Sequence, residues 1–264
     1  MTPENLSKID EVVNDLLKQS QENSQAWDKI RYGKFTASAI YKLFPEPRTK
    51  RDKEAGLFST MGENYILEKA IEQYTGVRLH DAYSRATEHG NEYEHEAIMT
   101  VWNEYYDSDS NPSDSLILKP NYIEYNRHSG GTPDAYININ GSWYGLETKC
   151  PYNSVNHYWH CQVKDAESLK EIAPAYYWQC AFHVFMQKHK FMYKHEEWLK
   201  LPMSHESWIF ASYDPRIPDK WKCHIAMITP PLEDLVMIAE KLERAISRKL
   251  QIVEFLQSLK PNKP

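Results

Sequence analysis

The chain has few cysteines and no long apolar run, and each shortage excludes a class of protein. None of its four cysteines stands in the C-x-x-C spacing of structural zinc sites or iron–sulfur clusters, so we expect reduced, buried thiols. No apolar run is long enough to span a bilayer, and the N-terminus lacks the pattern of a signal peptide. These two absences predict a soluble, cytoplasmic protein that is not attached to a membrane.

Linkers rich in Gly or Ser, internal repeats and low-complexity segments are also missing. With 264 residues, 41% of them hydrophobic and 13% aromatic, the chain can bury a substantial core. We therefore expect a single α/β domain over residues 1–264. The net charge of −6 argues mildly against a nonspecific polyanion binder, although basic residues can still be gathered on one face.

The stretch from 130 to 151 carries the strongest structural signal. An Asn-Gly pair at 140–141 between two apolar runs predicts a β-hairpin, because both central residues of a type I′ turn need a positive φ. Asp134 stands at the start of the first strand. Glu147 and Lys149 stand near the end of the second and share one face, since side chains alternate along a strand. The hairpin is expected to bring Asp134 alongside that pair.

Two carboxylates and a lysine at this spacing indicate metal-assisted chemistry. Carboxylates suit a hard cation such as Mg²⁺, and a nearby lysine orients a water or stabilises a developing negative charge. The alternative is a surface hairpin with ordinary charges, because a lone E-x-K occurs often by chance. The full pattern, Gly-Thr-Pro-Asp followed by the hairpin and Glu-Thr-Lys-Cys-Pro, is much more specific.

Two predicted helices carry further candidates. In the helix expected from about 89 to 105, Glu94 lies on or beside the apolar stripe, whereas Glu92 and Glu96 are expected to be solvated. An inward carboxylate needs a metal or a partner, so Glu94 has either a chemical role or a buried salt bridge. In the helix predicted over 175–186, a buried Gln179 needs hydrogen-bond partners such as a water or phosphate. His183 on the same face is expected to be a satisfied core histidine.

The N-terminal region is predicted to begin with an amphipathic helix over 1–24. Residues 27 and 30 are expected to be buried, and Gly33 to end a helix. Thr36 or Ser38 then caps the next helix, residues 39–43. Arg31 precedes this turn and can bind a phosphate, although pairing with a surface carboxylate is the more ordinary role.

The segment 45–53 is predicted to be a loop and holds the densest basic cluster. Its cations are Arg48, Lys50, Arg51 and Lys53, interpreted either as a solvated loop or as contacts to a DNA backbone. The other predicted elements are helices at 60–74 and 231–259, strands at 116–118, 122–125, 208–213 and 223–229, and a loop with a short helix at 157–170.

The pair Pro133-Asp134 followed by Glu147-Thr148-Lys149 resembles the signature of the PD-(D/E)-x-K nuclease superfamily. Over residues 26–256, further short motifs occur in the order seen in the family of phage lambda exonuclease and the YqaJ-type viral recombinases. These motifs are Ala26-Trp27, Ile30-Arg31-Tyr32-Gly33, Thr36-Ala37-Ser38, Gly90, Tyr93-Glu94, Thr132-Pro133-Asp134, Leu146-Glu147-Thr148-Lys149-Cys150-Pro151, Gln179 and Tyr213-Asp214-Pro215-Arg216.

The resemblance implies a restriction-endonuclease-like core with a central mixed β-sheet flanked by helices. It implies that Mg²⁺, with Mn²⁺ as a substitute, is bound by Glu94, Asp134, Glu147 and the backbone carbonyl of Thr148. Lys149 would hold the attacking water and Gln179 would line the active site. Whether one metal ion or two are used is left open.

By the same resemblance, Arg31, Ser38 and Thr132 receive a 5′-phosphate. The family digests one strand of duplex DNA from its 5′ end during recombination, and its members commonly form ring-shaped trimers around DNA. The implied partners are double-stranded DNA ends and a single-strand annealing protein, in a phage or prophage setting in the bacterial cytoplasm. Residues 189–207 resemble an insertion, and segment 45–53 also departs from the family. The alternatives are a DNA endonuclease on the same core and an inactive DNA-binding module.

Overall fold

The computed structural model describes residues 30–79, 84–105, 115–118, 122–188, 204 and 206–259. Its helices are α1 (Lys50–Glu54), α2 (Thr60–Thr75), α3 (Arg85–Tyr105), α4 (Ser154–His160), α5 (Ala166–Ile172), α6 (Pro174–Lys188), α7 (Asp219–Lys222), α8 (Leu232–Ser258) and a 3-10 helix, Ala37–Leu43. Its strands are β1 (Phe35–Thr36), β2 (Leu116–Leu118), β3 (Ile123–Asn126), β4 (Ser129–Gly131), β5 (Ala135–Ile139), β6 (Ser142–Lys149), β7 (Trp208–Tyr213) and β8 (Cys223–Ile228).

A five-stranded mixed sheet in the order β2-β5-β6-β7-β8 forms the centre of the fold. Strands β6 and β7 are parallel, and the other neighbouring pairs are antiparallel. The hairpin β5–β6 turns at Asn140 and Gly141, whose φ angles of 51° and 85° have the positive sign that a type I′ turn requires. The predicted mixed sheet and hairpin are therefore confirmed.

Helices cover both faces of this sheet. On one face α3 packs Ile98, Val101 and Trp102 against the hairpin and β7. On the other face the core includes α6, the 3-10 helix and α8. Within this layered α/β arrangement, the catalytic candidates Glu147 and Lys149 lie at the end of β6, beside β7.

A small second sheet, in the order β1-β4-β3, extends the fold beside the 3-10 helix. The sequence predicts only its β3 strand, because β1 has two residues and β4 reads Ser-Gly-Gly, which carries no strand signal. The pairing of β1 with β4 is parallel and aligns Thr36 with Gly130. This sheet brings the region after Arg31 close to the Gly-Gly-Thr-Pro-Asp segment that leads into the hairpin.

Several predicted boundaries are wrong. Residues 50–54 form α1 inside the predicted loop, because Thr49 accepts a hydrogen bond from Asp52 N at 3.1 Å and caps a short helix. The helix after Gly33 is 3-10 rather than α, and Thr36 at its N-cap makes no side-chain capping bond. The segment predicted as loop and one helix forms α4 and α5, the second capped by Asp165. Ile30 is 47% exposed rather than buried.

The long C-terminal helix is confirmed as α8, which packs on α2 and α6. All four cysteines are free, although only Cys180 is buried, so the prediction of buried thiols holds for that one alone. No described helix is long and apolar enough to cross a membrane. The predicted helix 1–24, Trp27 and most of the suggested insertion 189–207 lie outside the described residues.

Candidate active site

The hairpin brings its acidic residues together at the open end of β5 and β6. The register pairs Ala135 with Leu146, which places Asp134 beside Glu147. Asp134 Oδ2 accepts hydrogen bonds from the backbone N–H of Thr148 at 2.6 Å and from its hydroxyl at 2.9 Å. These two bonds fix the Asp134 carboxylate at the end of the strand pair, as the sequence predicts.

Lys149 lies in a cage of three side chains. Its ammonium donates to Glu147 Oε1 at 2.5 Å and to Gln179 Oε1 on α6 at 3.3 Å. The same nitrogen lies 4.7 Å from the centre of the Tyr176 ring, which adds a cation–π contact. The predicted inward position of Gln179 is confirmed. Tyr176 could not be singled out from the sequence, because an aromatic residue on an aromatic-rich helix is indistinguishable from a core residue.

Burial and the neighbouring charges determine the pKa values of Glu147 and Lys149. Burial, and next the negative charge of Asp134, raise the pKa of Glu147 to about 8, while Lys149 opposes the shift. For Lys149, burial alone would lower the pKa, but the Glu147 and Asp134 carboxylates outweigh it and raise the pKa above its usual value. The lysine therefore stays cationic, which suits it to orient a water or an anion and not to act as a base.

Glu94 reaches the same region from α3, on the opposite face of the sheet. Burial, followed by the charges of Glu94 and Asp134, raises the pKa of Cys150 to about 12, and Glu94 also contributes to the shift of Glu147. Its neighbour Glu96 is exposed, as expected, and it also has partners. Glu96 accepts hydrogen bonds from the Tyr213 hydroxyl and, at 3.3 Å, from Lys222.

The acidic residues fit a hydrated Mg²⁺ better than a metal that needs a complete protein cage. Within the described ranges no group of three or more His, Cys, Asp or Glu side chains stands ready to hold a metal ion. Magnesium commonly takes one or two carboxylates and keeps several waters. Glu147 Oε2 is buried, and no hydrogen bond reaches it from the described residues. A buried acceptor beside a second carboxylate is the environment in which a divalent cation would be stabilised.

A clamp of Asp214 and Arg216 holds the chain that leaves the active site. Arg216 binds both carboxylate oxygens of the fully buried Asp214, at 2.8 and 2.9 Å. Its two terminal nitrogens donate to the carbonyls of Tyr152 at 2.9 Å and Pro151 at 3.0 Å. In the sequence, Asp214-Pro215-Arg216 is only a motif of the family that the chain resembles. The contacts of Arg216 with Pro151 and Tyr152 could not be predicted, because they join positions more than 60 residues apart. The clamp fixes the path of the backbone just beyond Lys149.

Replacing Asp214 by Asn should lower the free energy of unfolding by about 2–3 kcal/mol near neutral pH, because a buried ionic partner of Arg216 is lost. Burial alone would raise the pKa of Asp214, but hydrogen bonds from Arg216 and Ser154 lower it to about 2. The ionised carboxylate therefore stabilises the fold above its unfolded pKa of about 3.9, and this contribution is lost as the pH falls towards about 2. Urea unfolding of both proteins at several pH values measures the difference, which should shrink in acid.

The exposed Asp219 at the start of α7 provides the matched control, and Asp219→Asn should change the free energy of unfolding by less than about 0.5 kcal/mol. A difference between wild type and Asp214→Asn that stays constant through the acid range would show that the Asp214 carboxylate is not the stabilising group.

The three residues expected to receive a 5′-phosphate come from neighbouring segments. Thr36, which pairs with Gly130, lies two residues before Ser38, and Gly130 lies two residues before Thr132; Ser38 is exposed. The hydroxyl of Thr132 is buried and no hydrogen bond from the described residues reaches it. Arg31 is half-buried and close enough to Tyr122 for its charge to influence the pKa of that phenol. Burial, the largest effect there, raises that pKa.

The basic residues of the predicted loop form an exposed surface. Lys50 makes only a 3.7 Å pair with Glu54 in which both side chains are mostly exposed, and Arg48, Arg51 and Lys53 are exposed. Such pairs contribute little to stability. These cations are therefore accessible to a ligand. Their exposure is compatible both with a solvated surface and with contacts to a DNA backbone.

His183 is buried as predicted, but it is not satisfied. Its ring stacks on Trp208 with centroids 4.6 Å apart, and neither ring nitrogen has a hydrogen-bond partner among the described residues. Burial, and then the charge of Lys149, lower the pKa of His183 to about 3, so the ring is neutral. It packs behind the site beside Gly131, where an added Cβ would lie 2.8 Å from the ring.

Comparisons with known proteins identify solved structures of similar fold. A scan against protein-family models and a search of curated proteins find no match. Among solved structures, the alkaline exonuclease LHK-Exo from Laribacter hongkongensis matches with a TM-score of 0.60 and 18% identity, over 89% of this chain and 96% of that chain. LHK-Exo in complex with dAMP matches over the same shares, with a TM-score of 0.60 and 20% identity. A phage-related exonuclease from Haemophilus somnus 129PT gives 0.57 and 18%, over 85% and 95%.

At these identities the likeness concerns the fold. The match extends over most of both chains, and the sequence independently carries the Asp134, Glu147 and Lys149 signature at the end of the hairpin. The chain therefore has the mixed α/β fold of these exonucleases.

Proposed function

We propose that this protein is a Mg²⁺-dependent 5′→3′ exonuclease that degrades one strand of double-stranded DNA. The observation that carries the proposal is the grouping of Asp134, Glu147 and Lys149, in which a buried carboxylate oxygen has no described hydrogen-bond partner. The fold shared with exonucleases supports it. A group of this kind suits hydrolysis of a phosphodiester, where negative charge develops on the phosphate.

In this proposal Asp134 and Glu147 bind Mg²⁺ directly, Glu94 and the backbone carbonyl of Thr148 complete the site when the metal binds, and Mn²⁺ can replace it. The metal lowers the pKa of a water and offsets the charge that develops on the phosphate. Thr148 orients the Asp134 carboxylate through two hydrogen bonds, so this ligand is preorganised.

Lys149 supplies the second part of the chemistry. Because its ammonium is held by Glu147 and Gln179, it can orient the attacking water and stabilise the phosphate charge without moving. Gln179 lines the site and sets the position of the lysine. Tyr176 below the ammonium favours its charged form.

The direct experiment uses a linear duplex labelled on one strand, at its 5′ end in one sample and at its 3′ end in another. With Mg²⁺, the 5′ label should be released first as short products, while the 3′-labelled strand shortens progressively. Mn²⁺ should support the same pattern and EDTA should stop it. Early release of the 3′ label would contradict the polarity, and cutting in EDTA would contradict the metal dependence.

Arg31 is proposed to bind the terminal 5′-phosphate, with Ser38 and Thr132 beside it. A charge-assisted contact of about 1.5–3 kcal/mol implies that wild type degrades 5′-phosphorylated ends about 10- to 150-fold faster than 5′-hydroxyl ends. Arg31→Ala should remove most of this preference, and Arg31→Lys should not restore it, because lysine lacks the planar pair of donors. Initial rates on the two kinds of end measure the preference.

Arg248→Ala is the control, since Arg248 on α8 pairs with Glu63 at 3.5 Å and belongs to no proposed site. That variant should keep the full preference for phosphorylated ends. If wild type degrades both kinds of end equally, the assignment of Arg31 is wrong.

The remaining proposals concern partners. By the family resemblance, the protein acts on double-stranded DNA ends as a ring-shaped trimer, contacts the DNA backbone through Arg48, Lys50, Arg51 and Lys53, and works with a single-strand annealing protein in recombination. The site of action would be the cytoplasm of a bacterial host. Sedimentation of the purified protein tests the trimer, with a mass of three chains as the expected result.

A further inference from the structure

Helix α4, which follows directly after the catalytic strand, is amphipathic in the reverse of the usual sense. Its histidines, His157 and His160, are buried, with 2% and 5% exposure. Its large side chains Val155, Tyr158 and Trp159 are 58%, 58% and 53% exposed. A surface helix normally buries its apolar side and exposes its polar side. The spacing of 155, 158 and 159 places the three exposed residues on one face.

Hydrogen bonds explain why the histidines lie inside. His157 Nε2 is 2.7 Å from the carbonyl of Trp221, so this nitrogen carries the proton and Nδ1 accepts. The hydroxyl of Ser212 then donates to His157 Nδ1 at 2.9 Å and accepts from His160 Nδ1 at 3.0 Å. Ser212 pairs in register with Lys149 across β6 and β7. The chain of hydrogen bonds thus fixes α4 to the strand beside the catalytic lysine.

The segment that leads into α4 is fixed as well. Arg216 holds the carbonyls of Pro151 and Tyr152, as described above. Asn153 caps α4 by accepting from Val155 N at 3.0 Å. The Tyr152 ring is 51% exposed, and it contacts the ring of His89 on α3 edge to face, with centroids 5.7 Å apart. Exposed aromatic rings on a rigidly held segment therefore begin three residues after Lys149.

We infer that Tyr152, Tyr158 and Trp159 form a stacking surface for unpaired bases of the DNA strand whose phosphate lies at Lys149. This inference rests on the proposed function. Aromatic rings bind bases through their faces without reading their sequence, and Tyr and Trp keep a polar edge in water. The residues that follow Lys149 border the proposed site, and among them Tyr152, Tyr158 and Trp159 present exposed aromatic rings.

Continuity with the catalytic strand favours DNA over a second copy of this chain as the occupant. The surface starts at the Lys149 strand end, is held by two independent sets of hydrogen bonds, and contacts α3, the helix that carries Glu94. Because hydrogen bonds already hold the backbone of this segment, less ordering is needed when it binds a strand.

The test measures binding and turnover separately. A fluorescent single-stranded oligonucleotide is titrated with the full-length protein in EDTA, where hydrolysis cannot occur. Tyr158→Ala and Trp159→Ala should each weaken its binding about 5- to 100-fold, whereas Tyr158→Phe and Trp159→Phe should stay within about threefold of wild type, since a phenyl ring still stacks. On linear duplex with Mg²⁺, the alanine variants should raise KM more than they lower kcat.

Phe255→Ala is the matched control, because Phe255 is 62% exposed on α8 and belongs to no proposed site. It should bind and cleave as wild type does. The inference would be overturned if both alanine variants bind the oligonucleotide as wild type does, whatever their rate of duplex degradation. It would also be overturned if the variants change the oligomeric state but not the binding of the oligonucleotide, because that result would identify a subunit interface. A wild-type protein that binds the oligonucleotide through these rings but does not degrade duplex ends would contradict the proposed function instead.

Discussion

Glu147→Gln and Asp134→Asn should each reduce Mg²⁺-dependent hydrolysis of linear duplex DNA on the order of 100-fold or more. Each change keeps the size of the side chain and replaces a carboxyl group that would hold the metal by an amide. Asparagine at 134 also presents an amide where Thr148 now donates two hydrogen bonds. Initial rates with Mg²⁺, together with melting temperatures, measure the effect and separate it from unfolding.

Asp234→Asn is the matched control for these substitutions. Asp234 is also a buried carboxylate bound to a lysine, since Lys170 lies 2.7 Å away, but it is on α8 and outside the site. Its replacement should lower the melting temperature and leave the rate per folded molecule unchanged. Full activity in Glu147→Gln at unchanged Mg²⁺ would show that this carboxylate does not hold the metal.

Lys149→Met should also cost on the order of 100-fold or more in kcat, because methionine keeps the length of the side chain and removes the charge that stabilises the phosphate. Lys149→Arg should not rescue it. The ammonium lies 2.5 Å from Glu147 and 3.3 Å from Gln179, and the planar guanidinium cannot adopt this position. Single-turnover rates with bound DNA measure the chemical step directly.

Lys241→Met is the control for Lys149. Lys241 pairs with Glu46 at 2.9 Å and lies 5.8 Å from the centre of the Phe58 ring, so it makes the same two kinds of contact away from the site. It should retain the wild-type single-turnover rate. A Lys149→Met protein that is folded and cleaves normally would contradict the role of Lys149.

The local features of the fold could be predicted because short stretches of sequence determine them. The Asn-Gly turn requires positive φ at both positions, and that requirement sets the register that places Asp134 beside Glu147. The long helix α8 follows from its apolar periodicity. The inward position of Gln179 follows from its place on a helix face, and the structure confirms it.

The features that were missed depend on contacts between distant positions. Glu96 is exposed, as helical periodicity predicts, but periodicity does not show that Tyr213 and Lys222 donate to it from 117 and 126 residues away. The Arg216 clamp and the bonds from Ser212 to two histidines are likewise long-range. Because of these bonds, helix α4 buries its histidines and exposes its apolar side chains. This could not be predicted, because residues 154–160 do not reveal the partners of the histidines.

Short helices and strands are the second group of features that could not be predicted from the sequence. Strand β1 has only two residues, too few to show an alternating pattern, and the Ser-Gly-Gly strand β4 has low β propensity; β4 pairs with both β1 and β3. The sequence predicts a loop where α1 forms, because five residues are too few to show a helical period and the capping bond of Thr49 is visible only in the structure.

The central claim, that this site degrades DNA from ends, is tested most directly with one plasmid in two forms. The same preparation is divided into covalently closed, unnicked circles and molecules linearised at a single site, and both are incubated with wild type and Mg²⁺. The closed circle should survive while the linear form loses one strand progressively from each 5′ end. Cutting of the closed circle at the same enzyme concentration would contradict the exonuclease account and indicate an endonuclease on this core.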